Sequence, residues 1–128
     1  MSKTPEQKWR DTVVQYRKKC QMILEVSKSV RYAGVINEYG RTLTGIIRPG
    51  LLPFLKQEDA KNEFFIISNL ITLRQSQSRA LGPFEHATIQ HKKATIICIP
   101  DSKVVYYISV EPKTKSLDEI IRKVKGII

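Results

Sequence analysis

The sequence predicts an α+β domain in which helices pack on a five-stranded antiparallel sheet. Three observations support this prediction: apolar residues recur at helical spacing in three segments, β-branched and aromatic residues concentrate in five short runs, and turn residues separate these segments. The predicted order is α-β-β-α-β-β-β-α, with the strands arranged as a hairpin and a meander. A chain of 128 residues that is 41% hydrophobic suffices for one core, so we assign residues 1–128 to a single domain.

The first predicted helix begins at a clear cap. Thr4 can cap the helix, Pro5 suits its first position, and Gln7 stands where a capping box requires it. An apolar stripe at spacings of three and four residues then predicts a buried face that extends to Val26: Trp9, Val13, Tyr16, Cys20, Ile23 and Leu24. Six cations occupy much of the remaining surface: Lys8, Arg10, Arg17, Lys18, Lys19 and Lys28.

A β-hairpin follows the first helix. Residues 31–39 and 41–48 have strand composition and are joined by a turn at Gly40. Gly34 and Gly45 lie inside the two strands, where glycine marks a bulge or a close approach of another backbone, and we expect the central helix to make this approach. The apolar segment 51–55, interrupted by proline, is predicted to close one end of the core.

The stretch from Gln57 to Leu81 is predicted to form the central helix. Six apolar residues fill about half of its circumference, which is more than one sheet face requires: Phe64, Ile66, Ile67, Leu70, Ile71 and Leu73. Phe65 lies off this arc, so the polar side also carries a large apolar group. We therefore expect a second surface to cover part of the helix, and the residues predicted to form a dimer interface are Phe65, Ile66, Leu70 and Leu73. Ordinary core packing is the alternative interpretation for these four.

The C-terminal part of the chain is predicted to form a three-stranded meander and a last helix. Gly82 and Pro83 end the central helix, and the strands are expected at 84–91, 94–99 and 104–110. Tyr106 and Tyr107 are neighbours on one strand and must therefore point to opposite faces of the sheet. Ser116 and Glu119 have capping-box spacing before a stripe formed by Leu117, Ile120, Ile121 and Val124.

The net charge is the strongest feature of the composition. The chain carries 22 Lys and Arg against 12 Asp and Glu, a formal charge of +10. This excess favours polyanionic partners, namely nucleic acid, an acidic membrane surface or an acidic protein, although a basic proteome would give the same composition. The residues predicted to contact anions, if the chain binds nucleic acid, are Arg17, Lys18, Lys19, Arg41, Arg48, Lys92 and Lys93.

Catalytic and metal-binding patterns are not found in the sequence, and we expect neither an enzyme nor a cofactor. His86 and His91 are an odd number of positions apart on one predicted strand, so they would face opposite sides. Residues 40–45 have glycines at phosphate-loop spacing, but Ile46 and Ile47 stand where that motif needs Lys and Ser or Thr. The two cysteines lie in apolar patterns and are expected to be buried and reduced.

We expect a cytoplasmic protein. The N-terminal residues do not have the pattern of a signal peptide. No apolar run approaches the roughly 20 residues that a membrane span needs.

The hairpin residues and the element order together resemble the roadblock/LC7 family and its longin and profilin-like relatives. The most recognisable residues are 31–37, which continue through Gly40 into 41–45, and the resemblance extends from Pro5 to Ile128. It implies a non-enzymatic module that homodimerises through the central helix and an adjacent edge strand. It also implies that the module binds or regulates small GTPases, or scaffolds an assembly. The longer, more basic first helix and the segment 51–55 depart from the family.

Two further interpretations remain open. The chain also resembles small archaeal proteins of unknown function, and this similarity implies no activity. A profilin-like sheet could alternatively sense a small molecule in a cavity between sheet and helix, for which the sequence gives no direct sign.

Overall fold

The fold comprises nine elements, which a computed structural model describes over residues 2–128. They are α1 (Pro5–Val26), β1 (Val30–Asn37), β2 (Thr42–Ile47), α2 (Gln57–Gln75), α3 (Ser78–Leu81), β3 (Ala87–Gln90), β4 (Thr95–Asp101), β5 (Val104–Val110) and α4 (Leu117–Ile127). The five strands form one antiparallel sheet with the order β2-β1-β5-β4-β3. The predicted α+β class, five-stranded sheet and element order are confirmed, with α3 added after the central helix.

Helices cover both faces of the sheet and create two apolar cores. On one face, α1 and α4 pack over a core that contains Val35, Ile97 and Tyr106. On the other face, α2 packs over a core that contains Ile36 and Tyr107. Tyr106 and Tyr107 therefore lie on opposite faces, as strand periodicity predicted.

The termini of α1 are stabilised by local hydrogen bonds. Thr4 Oγ1 accepts a bond from the Gln7 amide, and Gln7 Oε1 accepts one from the Thr4 amide, so the predicted capping box is present. At the other end, the guanidinium group of Arg48 donates to the carbonyl oxygens of Leu24, Ser27 and Val30, with bonds of 2.9 Å to Ser27 and 2.7 Å to Val30. Arg48 thereby satisfies carbonyls that the helix end leaves unpaired.

The prediction that the buried face of α1 begins at Trp9 is wrong. Cys20, Ile23 and Leu24 are buried, but Val13 and Tyr16 are only half-buried, and Trp9 is 52% exposed. Burial along this stripe thus increases from the N-terminal half of the helix towards its C-terminal half. The periodicity identified the correct face of the helix, whereas the exposed N-terminal half reflects where the sheet ends.

The segment from Leu51 to Leu55 does not close the core, contrary to the prediction. Leu52, Phe54 and Leu55 are exposed. The Phe54 ring lies under the guanidinium of Arg31, 4.2 Å from the ring centroid, and Arg31 also forms a 2.9 Å salt bridge with Glu111. The segment is therefore held against the surface of the sheet by a cation–π contact.

The close approach expected at Gly34 and Gly45 is made by a side chain. The Tyr32 ring occupies the space that side chains at these two paired positions would fill. The backbone of α2 instead approaches Gly40, where an added Cβ would lie 2.7 Å from Phe65 Cα. Gly40 also has a positive φ of 81°, so both its conformation and its surroundings favour glycine.

Several element boundaries differ from those predicted. β3 begins at Ala87, three residues later than expected, and β4 continues through Pro100. Pro100 pairs with β5, but the pairing between β4 and β3 has already ended at Cys98. The sheet therefore loses no hydrogen bond to β3 through the missing N–H of proline. The capping box at Ser116 is wrong, because its side chain makes no capping hydrogen bond.

Candidate functional site

The central helix α2 buries one face and exposes apolar residues elsewhere. Phe64, Ile67, Ser68 and Ile71 are buried against the sheet. The Phe64 ring meets the Tyr107 ring edge-on, with centroids 4.9 Å apart, a favourable aromatic arrangement. This face alone accounts for the packing of α2 on the sheet.

Two hydrogen bonds fix α2 on the sheet. Tyr107 Oη donates to Glu63 Oε2 at 2.8 Å, and Ser68 Oγ donates to the carbonyl oxygen of Asn37 at 2.9 Å. Burial, followed by the bond to Glu63, raises the pKa of Tyr107 above its usual value of 10.0. The position of the helix is therefore set by polar contacts at two places, and its outward residues are held on a rigid support.

The four residues predicted to form the dimer interface divide between two sides of α2. At about 100° per residue, Ile66, Leu70 and Leu73 fall within a sector of about 60°, whereas Phe65 lies roughly 100° from Ile66. Ile66 is 59% exposed and Leu73 is 67% exposed, while Leu70 is half-buried. We name Ile66, Leu70 and Leu73 the α2 stripe.

Phe65 faces a different part of the molecule. It is 58% exposed, and its backbone is the part of α2 closest to Gly40 in the β1–β2 turn. That turn joins the two strands at the β2 side of the sheet. The α2 stripe lies on another side of the helix, turned away from the buried face.

Strand β3 forms the sheet edge opposite β2. It pairs only with β4 and spans four residues, Ala87–Gln90. Its outer backbone N–H and C=O groups are available for pairing, as at any sheet edge. The molecule therefore has an open edge strand in addition to the exposed α2 stripe.

The candidate anion-contact residues do not converge. Arg41 lies in the β1–β2 turn, whereas Lys92 and Lys93 lie in the β3–β4 turn. Because Asn37 pairs with Val104, and Val110 at the other end of β5 pairs with Thr95, these turns are separated by about 20 Å along the strands. They do not form one compact cluster.

The remaining four candidate cations have different environments. Arg17 donates a 3.4 Å hydrogen bond to Thr44, and Arg48 donates to the carbonyl oxygens of Leu24 and Ser27 at the end of α1. Lys18 is exposed and Lys19 half-buried on α1. Arg48 is thus a structural residue, which its place in a strand sequence did not reveal.

The histidines flank β3 and do not lie within it.

A surface cleft of about 340 Å³ is lined by His86, Asp118, Ile121, Arg122 and Lys125, so it lies at α4 and not between α2 and the sheet. The part of the chain from residue 2 onward contains no group of three His, Cys, Asp or Glu side chains that could hold a metal ion.

Both cysteines are buried and free, as predicted. Burial raises the pKa of Cys20 to about 11 and that of Cys98 to about 12. Thiols with such values are poor nucleophiles near neutral pH.

Comparison with solved structures assigns the fold. The gliding protein MglB from Thermus thermophilus superposes with a TM-score of 0.72 at 12% identity, covering 90% of this chain and 84% of that chain. An MglB with a tetrameric arrangement gives 0.68 at 14% identity, with coverages of 88% and 84%. A roadblock/LC7 domain from Streptomyces avermitilis gives 0.61 at 9% identity, with coverages of 85% and 93%. The chain has the roadblock/LC7 fold.

This assignment rests on the three-dimensional structure. No protein-family model and no curated protein matches the sequence. The roadblock/LC7 fold predicted from the hairpin residues and the element order is nevertheless confirmed by these neighbours. Within residues 2–128, no helix has both the length and the apolar character that a membrane crossing requires.

Proposed function

We propose that this roadblock/LC7-fold protein is a non-enzymatic interaction module that acts as a homodimer. The observation that carries the proposal is the α2 stripe, because two large aliphatic side chains lie in solvent on a helix whose opposite face is well packed. In a two-fold dimer the same stripe would be buried on both subunits. The tetrameric arrangement recorded for an MglB with this fold is consistent with association between copies.

The stripe needs additional contacts to hold a stable dimer. Burying the four exposed aliphatic side chains, Ile66 and Leu73 from each subunit, together with the half-buried Leu70 of each, yields about 1–2 kcal/mol per side chain. The cost of association is of the same order as their sum, about 4–15 kcal/mol. We therefore assign the remaining stabilisation to pairing between the two β3 edges, because β3 is an open edge strand whose outer backbone groups can form such bonds.

We further propose that the dimer binds a protein partner and that small GTPases are the first class to test. The resemblance of the hairpin residues to the roadblock/LC7 family supports this choice. The test mixes the protein with small GTPases of its own genome, loaded with GDP or with a non-hydrolysable GTP analogue, and measures complex formation by light scattering. Binding that depends on the nucleotide supports the proposal. A failure of every GTPase in both states contradicts this partner class without affecting the dimer.

Nucleic-acid binding is the competing function, and the separation of the candidate cations counts against it. The decisive experiment measures the solution mass at low and high salt, with and without a generic RNA or DNA oligonucleotide. We expect a dimer that persists at high salt and does not respond to the oligonucleotide, since apolar contacts are insensitive to salt screening. A monomer that binds the oligonucleotide at low salt only would contradict the proposal, because phosphate contacts weaken steeply as salt rises.

A further inference from the structure

The N-terminal half of α1 extends past the end of the sheet. Arg17 contacts Thr44, and the Tyr16 ring meets Tyr106 at a centroid distance of 6.3 Å. Both strand residues lie only two positions from the start of their strands, so about 7 Å of sheet remains beyond them. The helix continues for eleven residues from Gln15 back to Pro5, or about 16 Å. The N-terminal part of α1, here called the arm, therefore extends about 10 Å past the last strand residues.

One side of this arm continues the buried face of α1 and is called its underside. This side is apolar at its centre. Trp9 and Val13 continue the stripe that is fully buried further along at Cys20. Trp9 is directly in line with the buried face, since it precedes Tyr16 by seven residues, or about two turns.

Cations flank this apolar stripe on both sides. By helical geometry, Lys8 and Lys19 border it on one side, while Arg10 and Arg17 border it on the other. Glu6 is the one acidic residue of α1 in the same half of the helix surface. Asp11 and Glu25 lie on the outer half, where Asp11 forms a salt bridge with Lys3. Within the arm, this half of the surface is thus apolar along its centre and carries Lys8 and Arg10 against Glu6, a net positive charge.

We propose that the arm binds an acidic amphipathic segment of a partner protein. An apolar side chain of the segment packs against Trp9 and Val13, and its acidic residues face Lys8 and Arg10. The apolar strip at Trp9 and Val13 is only one helix side wide, which suits a chain segment better than a flat bilayer. Base stacking is less favoured, because this stripe offers only one indole and an aliphatic neighbour. The site lies on the opposite face of the sheet from the α2 stripe and is independent of the dimer.

The experiment uses Trp9 as its own reporter, because it is the only tryptophan of the chain. The probe is a synthetic amphipathic helix of leucine and glutamate, and the matched control has lysine in place of glutamate. We expect a saturable blue shift of Trp9 emission with the glutamate peptide, weakened by salt, and no shift with the lysine peptide. A response to both peptides, to neither peptide, or only to an oligonucleotide or to anionic vesicles would overturn the proposal.

Matched variants locate the site. Arg10→Glu, on the border of the stripe, should weaken peptide binding about tenfold, whereas Lys18→Glu, on the outer surface of the same helix, should weaken it less than about twofold. Trp9→Ala, followed by calorimetry because the reporter is lost, should abolish measurable binding. Circular dichroism confirms that each variant remains folded. Equal effects of Arg10→Glu and Lys18→Glu would show that only the net charge matters, which contradicts a defined site.

Discussion

The ring of Tyr32 lies over Gly45, so that a methyl group added at Gly45 would overlap Tyr32 Oη and stand 2.9 Å from Cζ. The ring cannot easily move away, because it stacks on Phe64 at a centroid distance of 6.5 Å and meets Tyr107 edge-on at 6.2 Å. A paired glycine on each of two strands thus makes room for one aromatic side chain beneath α2.

Gly45→Ala is therefore expected to destabilise the fold. Overpacking of this kind costs about 1–3 kcal/mol of the free energy of unfolding. Tyr32→Phe removes the overlapping oxygen, so the double variant should lose less than the sum of the two single variants. Urea unfolding of all four proteins measures this coupling, and strictly additive losses would contradict the packing described.

Arg48→Ala should lower the free energy of unfolding by about 2–3 kcal/mol, because carbonyl groups at the end of α1 lose their charged donor. Arg41→Ala, which removes an exposed cation from the same hairpin, is the matched control and should stay within about 0.5 kcal/mol of wild type. Thermal or urea unfolding compares the two. Equal losses would show that Arg48 acts only through its charge.

The adjacent tyrosines of β5 should respond in opposite ways to loss of the hydroxyl group. Tyr107→Phe removes the donor to Glu63 and should cost about 1–3 kcal/mol. Tyr106 Oη is buried and has no hydrogen-bond partner within residues 2–128, so Tyr106→Phe should be neutral or stabilising. Urea unfolding near pH 7 measures both. A larger loss for Tyr106→Phe than for Tyr107→Phe would refute these assignments.

Alkaline pH should destabilise the protein partly through Tyr107. Its pKa is raised in the folded state, mainly by burial, so its contribution is complete below pH 10 and is lost as the pH rises through the folded-state pKa. Above about pH 10.5, the free energy of unfolding of wild type should fall relative to Tyr107→Phe by about 1.4 kcal/mol per pH unit. If the free energies of unfolding of the two proteins changed with pH in the same way, the pKa of Tyr107 would be the same in the folded and unfolded states, which contradicts this prediction.

Helical and strand periodicity in the sequence predicted the helices and strands well where the apolar positions are also the buried ones. The alternation at Tyr106 and Tyr107 placed both rings on the correct faces, and the cap at Thr4 marked the true start of α1. The failures concern relations between elements. The stripe at Trp9 gave the face of the helix but not the point where the sheet stops, and composition alone could not show that Leu52 remains in solvent.

The candidate site was predicted only in part. The excess of apolar residues on α2 indicated a second covered surface, and Ile66 and Leu73 are indeed exposed. Helical geometry already placed Phe65 off the apolar arc, and it was grouped with the other three as a further large apolar side chain. The sequence did not show that its backbone would lie against the β1–β2 turn. Arg48 was assigned to anion contact because a cation in a strand does not reveal which carbonyls it will meet.

The central claim is that the α2 stripe holds two copies together, and the most direct test is the solution mass of Leu73→Asp measured by sedimentation equilibrium. Met22→Asp is the matched control, because Met22 is an exposed apolar residue on α1, on the other face of the sheet. We predict that wild type and Met22→Asp sediment as dimers and that Leu73→Asp is a folded monomer. A wild-type monomer, or a Leu73→Asp dimer as stable as wild type, would contradict the account.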